Sequence, residues 1–297
     1  MQLTMEPLDE MLASARVMDQ AGLDTIWLAE AYPWWRKHGM EARSSTVVSA
    51  LMARETKRLT IGWGIISPFT RHPVQVAMDA RVVQEAAGPG RFLLGFGTSK
   101  IFLNSILSQT SKTLGPMRDA VEIVRGVLGG GAFRYEGDTW SADVPALDGA
   151  AHTPREVPPV YVAATAPKMM ALAAELAEGC LTPSITTPAF VRQTRGIVGD
   201  EIDVGCTVVA SIDADRDKGR DGAREIEERV GRLAAKEQVT DAILDKCKPI
   251  AGTPADCIAA IEEYRDAGCT HVMLELWGEE RHDQIRLFGE RVLPHFR

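Results

Sequence analysis

Strand-sized apolar runs alternate along this chain with stretches whose apolar residues recur every three or four positions. The first kind reads as strand buried on both faces, the second as amphipathic helix. Residues 7–21 place Leu8, Met11, Leu12, Ala15 and Met18 on one helical stripe, closed by Gly22. Asp24-Thr-Ile-Trp-Leu-Ala-Glu30 follows as a strand, then a helix over 45–56 with Ser44 or Ser45 as its N-cap. Strands at 59–66 and 91–97 and helices over 74–87 and 116–128 continue the alternation, with Pro116 in a helix first turn. Residues 129–140 break it. Three glycines and then Ala132-Phe-Arg-Tyr-Glu-Gly-Asp-Thr-Trp140 read as a short hairpin turning at 136–138, followed by a polar loop to residue 150. Strands at 159–164, 180–182, 204–211 and 271–276 then alternate with helices over 167–178, 188–198, 254–267 and 281–292. The charged helical stretch 214–248 reads as an insertion or a surface helix pair. Seven strands, each followed by a helix, with a truncated first strand at 2–4, predict an α/β fold. The expected architecture is a (β/α)8 barrel, in one domain over residues 1–297.

Composition narrows the class without changing the fold. A chain of 297 residues suits one such barrel, and 45% apolar with 25% charged residues gives an ordinary core-forming protein. The formal net charge of −8, with no basic stripe, excludes a nucleic-acid binder. The longest apolar runs are strand-sized, so no membrane span is expected, and Met1-Gln-Leu-Thr-Met-Glu-Pro7 lacks the pattern of an export signal. Five cysteines with no Cys-x-x-Cys pair predict reduced thiols and a cytoplasmic setting. His38, His72, His152, His271, His282 and His295 are scattered and include no His-x-His pair, so no metal site is expected.

The candidate chemistry sits where two neighbouring strands end. Leu59-Thr-Ile-Gly-Trp-Gly-Ile-Ile66 runs into Ser67-Pro-Phe-Thr-Arg-His-Pro73, and Arg91-Phe-Leu-Leu-Gly-Phe-Gly97 runs into Thr98 and Ser99. Glycines and small hydroxyl residues at carboxyl strand ends prepare a close backbone approach, on the side where α/β folds bind ligands. Two successive units doing so suggest a large flat ligand. Gly62 and Gly64 flanking Trp63 fit either a bulge or tight helix packing.

Several segments, in order along nearly the whole chain, resemble the bacterial-luciferase-like superfamily, in particular its F420-dependent oxidoreductase branch. They are Ala21-Gly-Leu-Asp-Thr-Ile-Trp-Leu-Ala-Glu30, Ser67–Pro73, Gly90–Gly97, Pro159–Lys168, Gly252-Thr-Pro-Ala-Asp256, Ala267-Gly-Cys-Thr-His-Val272 and Arg286–Pro294. The resemblance implies a luciferase-like barrel whose carboxyl end holds coenzyme F420, or alternatively FMN, in a homodimer. It places a bulge, often with a non-prolyl cis peptide, at Gly64, Ile65 and Ile66, with Ser67 following and Gly97 and Thr98 beside it. It places the cofactor phosphate at Ala164, Thr165 and Ala166, a helix start whose free N–H groups hold an anion. Lys168 there either screens phosphate charge or is a solvated first-turn lysine.

On the reacting face the chain departs from the dehydrogenases of that branch. Their His-x-x-x-Trp is matched only at Trp34, its histidine falling on Glu30 or Ala31, and Lys100 stands where they carry a glutamate. Glu30, Trp34 and Lys100 are therefore the candidate catalytic residues. Glu30 serves as a proton donor if buried beside the ring, or as a partner of Arg43 or Arg71. Arg71 and His72 either touch ligand or hold their loop, and Trp34, Trp35 and Phe102 are candidate walls for an apolar substrate. The expected function is hydride transfer between F420 or FMN and a small organic substrate. The alternatives are an FMN-dependent monooxygenase served by a separate reductase, or a flavin-binding relative without catalysis.

Overall fold

The structure is a computed structural model, described here for residues 2–30, 41–98, 112–147, 156–184, 186–224 and 249–297. Trp34, Trp35, Ser99, Lys100 and Phe102 lie outside these residues, as does 225–248 of the charged stretch.

The chain alternates as expected. In order come β1 (Gln2–Leu3), α1 (Leu8–Ala21), β2 (Thr25–Ala29), α2 (Ser45–Glu55), β3 (Thr60–Trp63), α3 (Pro73–Ala87), β4 (Phe92–Phe96) and α4 (Leu114–Gly129). A hairpin, β5 (Phe133–Glu136) and β6 (Ser141–Val144), interrupts the barrel. Then follow β7 (Val160–Ala163), α5 (Pro167–Leu176), β8 (Gly179–Ser184), α6 (Pro188–Val198), β9 (Asp203–Ile212), β10 (Ile250–Gly252), α7 (Pro254–Asp266), β11 (His271–Leu276) and α8 (Arg281–Leu287). Residues 216–224 are helical.

All barrel strands run parallel in the order β1-β2-β3-β4-β7-β8-β9-β11. Ala210 of β9 pairs with Ile250 on one edge and Leu276 on the other, so β10 adds to the edge that β8 uses. The strands have two buried faces. Ile26, Leu28, Ile61, Leu94, Val162 and Val208 face the helices, against Met11, Val48, Met52, Val76, Val121 and Met170. Trp27, Tyr161, Leu181 and Met273 fill the lumen, with Ile65, Leu93 and Ala163 packed on them. Trp27 Nε1 donates to His271 Nε2 at 3.0 Å, joining β2 to β11 across the seam.

Three expectations need correction. The hairpin turns over Gly137–Trp140, not at 136–138, and its second arm is Ser141–Val144, which reads in the sequence as loop. Buried Asp119 of α4 sets that turn: it accepts from Tyr135 Oη at 2.9 Å, Thr139 N at 2.7 Å and Trp140 N at 3.2 Å. β10 is a strand at residues between the two expected helices, 214–248 and 254–267, where no element was expected. The last helix is α-helical only to Leu287 and continues as a π turn over Phe288–Val292.

Candidate active site

The end of β3 carries a one-residue bulge. β3 pairs with β4 at Gly62–Leu93 and pairing resumes at Ile66–Phe96, so four residues of one strand span three of the other. Gly64 N donates to Leu28 O at 2.9 Å and Ile66 N to Gly95 O at 3.0 Å, which pins the bulge on both sides. The Gly64–Ile65 peptide is cis. Small residues on the facing strand give it room: a Cβ on Gly95 would collide with the Trp63 carbonyl oxygen. A Cβ on Gly97 would come within 2.6 Å of the Ile65 side chain and 3.2 Å of Ala163 Cβ. The carboxyl mouth above the Trp27 layer is therefore walled by backbone and small side chains at the ends of β3, β4 and β7. The glycines on β4 thus let the bulged backbone and the Ile65 side chain lie directly against that strand.

The loop after the bulge is built on Ser67. Thr70 Oγ1 donates to Ser67 O at 2.9 Å, and Ser67 is buried. His72 caps α3, its Nδ1 accepting from Val74 N at 3.2 Å. Phe69 and His72 both pack near Trp140 of the hairpin, with ring centroids 6.3 and 6.5 Å away. Arg71 reaches back to β2 and grips Glu30 with both guanidinium nitrogens, at 2.5 and 2.6 Å. The Glu30 carboxylate raises the Arg71 pKa, outweighing the opposing effect of burial. Of the two roles open to Glu30, the geometry has the ion pair, and Arg43 is engaged elsewhere, on the carbonyls of Met5 and Glu41.

The anticipated phosphate site is split between buried and exposed residues. Ala164 is buried and donates to Leu181 O at 2.9 Å, whereas Thr165, Ala166 and Lys168 are exposed. α5 starts at Pro167 with no side-chain cap; proline has no N–H and Met169 N donates to Ala166 O at 3.0 Å, so the first turn leaves the N–H of exposed Lys168 for an anion. Lys168 lines a cleft of about 500 Å3 between α4, α5 and the hairpin, beside the Arg118–Glu175 ion pair.

Sequence reading passed over β11. Its alternation puts His271, Met273 and Glu275 on the lumen side, Met273 being part of the lumen core. His271 accepts its bond from Trp27 on Nε2, so the ring is assigned as the Nδ1–H tautomer, and burial lowers its pKa. Glu275 is held largely away from water, and burial raises its carboxyl pKa. The sequence shows only a carboxylate in a largely apolar strand; which face of the strand turns inward it does not show.

Known structures share this fold. The coenzyme F420 dependent tetrahydromethanopterin reductase from Methanopyrus kandleri matches with a TM-score of 0.81 at 23% identity, over 100% of this chain and 98% of that one. A monooxygenase from Streptomyces bottropensis matches with a TM-score of 0.83 at 22% identity, over 98% and 94%. By sequence, the 5,10-methylenetetrahydromethanopterin reductase of Archaeoglobus fulgidus is 26% identical across 94% of this chain and 93% of its own. With a sequence profile that matches over residues 1–271, this chain belongs to the luciferase-like monooxygenase family.

Proposed function

We propose that the protein is an oxidoreductase that binds coenzyme F420 and moves a hydride to or from a small organic substrate. The observation that carries this is the bulge at Gly64–Ile66, set against Gly95 and Gly97 at the carboxyl mouth. F420 is favoured over FMN because the two reductases among the similar proteins include one described as F420-dependent. When bound, the deazaflavin supplies two-electron hydride chemistry that no side chain offers.

The chain's own residues bind and orient. Gly64, Ile65, Ile66 and Ser67 back the ring, Gly97 and Thr98 clear its path, and Thr165 and Ala166 present N–H groups to its phosphate, with Lys168 nearby and Ala164 behind them, its N–H held by Leu181 O. The Glu30–Arg71 pair fixes the loop that frames the ring. Trp34 and Lys100 belong to the reacting face, Lys100 as a donor toward developing negative charge. Fluorescence titration of the purified protein with F420 and FMN, each oxidised and reduced, tests the assignment. Saturable F420 binding tighter than FMN is expected. Binding of neither overturns it.

A second reading, an FMN-dependent monooxygenase served by a separate reductase, draws on the fold shared with the Streptomyces bottropensis monooxygenase. Tighter FMN binding would favour it. A homodimer fits an apolar patch on the adjacent helices α2 and α3, where Val47, Leu51, Met78 and Val82 are exposed. Light scattering in solution reads that state, and a monomer would count against it. The free thiols Cys180, Cys206, Cys257 and Cys269 suit a cytoplasmic setting, which cell fractionation checks.

A further inference from the structure

We propose that Glu275 holds a proton in the barrel mouth and delivers it to the oxygen or nitrogen of an unsaturated substrate: a ketone, an aldehyde or an imine. This role rests on the oxidoreductase reading above. Glu275 follows Met273 by two residues on β11 and is register-paired with Val209 of β9. It therefore projects into the lumen that Met273 helps fill, one step nearer the carboxyl rim where barrel enzymes act. The lumen layer below it is largely apolar, crossed by the Trp27–His271 bond: Trp27, Tyr161, Leu181 and Met273, with Ile65, Leu93 and Ala163 packed on them.

One described group bonds the carboxylate: Trp277 Nε1 donates to Oε1 at 3.1 Å. Trp277 is itself fixed. Its N–H donates to Ala210 O at 2.9 Å, and its carbonyl accepts from Gln284 Nε2 of α8 at 2.7 Å. Gln284 also holds Glu279 O and Ile212 N, at 3.0 and 3.1 Å. Oε1 is thus occupied, and in this role Oε2 carries the transferable proton.

The neighbouring charges do not hold this carboxyl ionised. Glu275 makes no ion pair among the described residues. His271, deeper on the same strand, has its Nε2 occupied by Trp27. Arg71 is committed to Glu30, β9 offers only Val209 opposite, and Glu279 and Glu280 of the following loop are exposed. The positive charge of the chain's N-terminus and the Trp277 bond favour the charged form, and burial outweighs both, so the carboxyl pKa is raised.

As hydride arrives at the substrate carbon, the C=O or C=N π pair moves onto the heteroatom. The Oε2–H bond breaks, the proton joins that heteroatom, and Glu275 remains as a carboxylate. Water returns the proton when product leaves. In the opposite direction the carboxylate takes the proton from an alcohol or amine.

Two measurements on wild type, Glu275→Gln and Trp277→Phe decide the matter. In protein without cofactor, carbon-13 NMR of δ-labelled glutamate should show one resonance, absent in Glu275→Gln, that titrates above the ordinary carboxylate range. Trp277→Phe, which removes the bond favouring the charged form, should move that midpoint higher. With reduced F420 and a panel of ketones, aldehydes and cyclic imines, Glu275→Gln should lower turnover by about 10²–10⁴-fold. Its F420 affinity should match wild type. A Glu275 midpoint in the ordinary range overturns the proposal. So does undiminished turnover in Glu275→Gln, and so does a cofactor-loaded wild type that reduces no member of the panel. Wild type that binds neither F420 nor FMN overturns the oxidoreductase reading itself, by a result into which no Glu275 variant enters.

Discussion

Gly95 and Gly97 stand two residues apart on the same face of β4, yet they make room for different things. Beyond Gly95 lies the Trp63 carbonyl, part of a backbone pinned by hydrogen bonds on both sides. Beyond Gly97 lie Cγ1 and Cδ1 of the Ile65 side chain, which can shift further than a pinned carbonyl. Gly95→Ala should therefore cost about 1–3 kcal/mol of stability, the scale of overpacking against a rigid neighbour. Gly97→Ala should leave denaturant stability within about 1 kcal/mol of wild type while weakening F420 binding roughly tenfold. Equal stability losses in the two variants would show that the bulge moves as freely as a side chain. Glycines ending strands are legible in a sequence, but which atom each one avoids is not. That depends on a register shift of one residue, and nothing local encodes it. Glu275 was hidden for a related reason: its importance depends on which face of β11 turns inward, a matter of sheet closure and not of the residue type.

At the scale of elements, the long strands were legible because their apolar runs have only one use in a soluble protein, burial on both faces. What escaped was short or exposed. β10 has three residues, too few for any period, and is a strand only because β9 overhangs beyond β8 and offers an edge. Ser141–Val144 alternates between exposed and half-buried, so it lacks an apolar signature, and its partner is fixed from a distance by Asp119. Asp119→Asn retains the volume of the side chain but replaces one acceptor oxygen with a donor. The loss should be about 1–3 kcal/mol, with Thr139 or Trp140 N–H left unmet. Limited proteolysis should then cut first in the 137–140 turn, and Trp140 should be released from Phe69 and His72. Cleavage elsewhere, with an intact hairpin, would mean that the turn holds without its carboxylate anchor.

For the whole molecule, four packed side chains close the lumen below the mouth. Trp27, Tyr161, Leu181 and Met273 plug it, and the Trp27–His271 bond ties two strands of the wall together. Above this plug, the carboxyl mouth is the way in for a ligand seated against the bulge. Whatever enters first lies deepest and leaves last, so traffic is stacked. If the ring settles against the bulge, substrate has to arrive after it and depart before it. The catalytic cycle then acquires a compulsory sequence from geometry alone, with no conformational switch to enforce it. Excess substrate arriving early would stand in the mouth and exclude the cofactor, so the plugged floor makes the enzyme self-limiting at high substrate concentration.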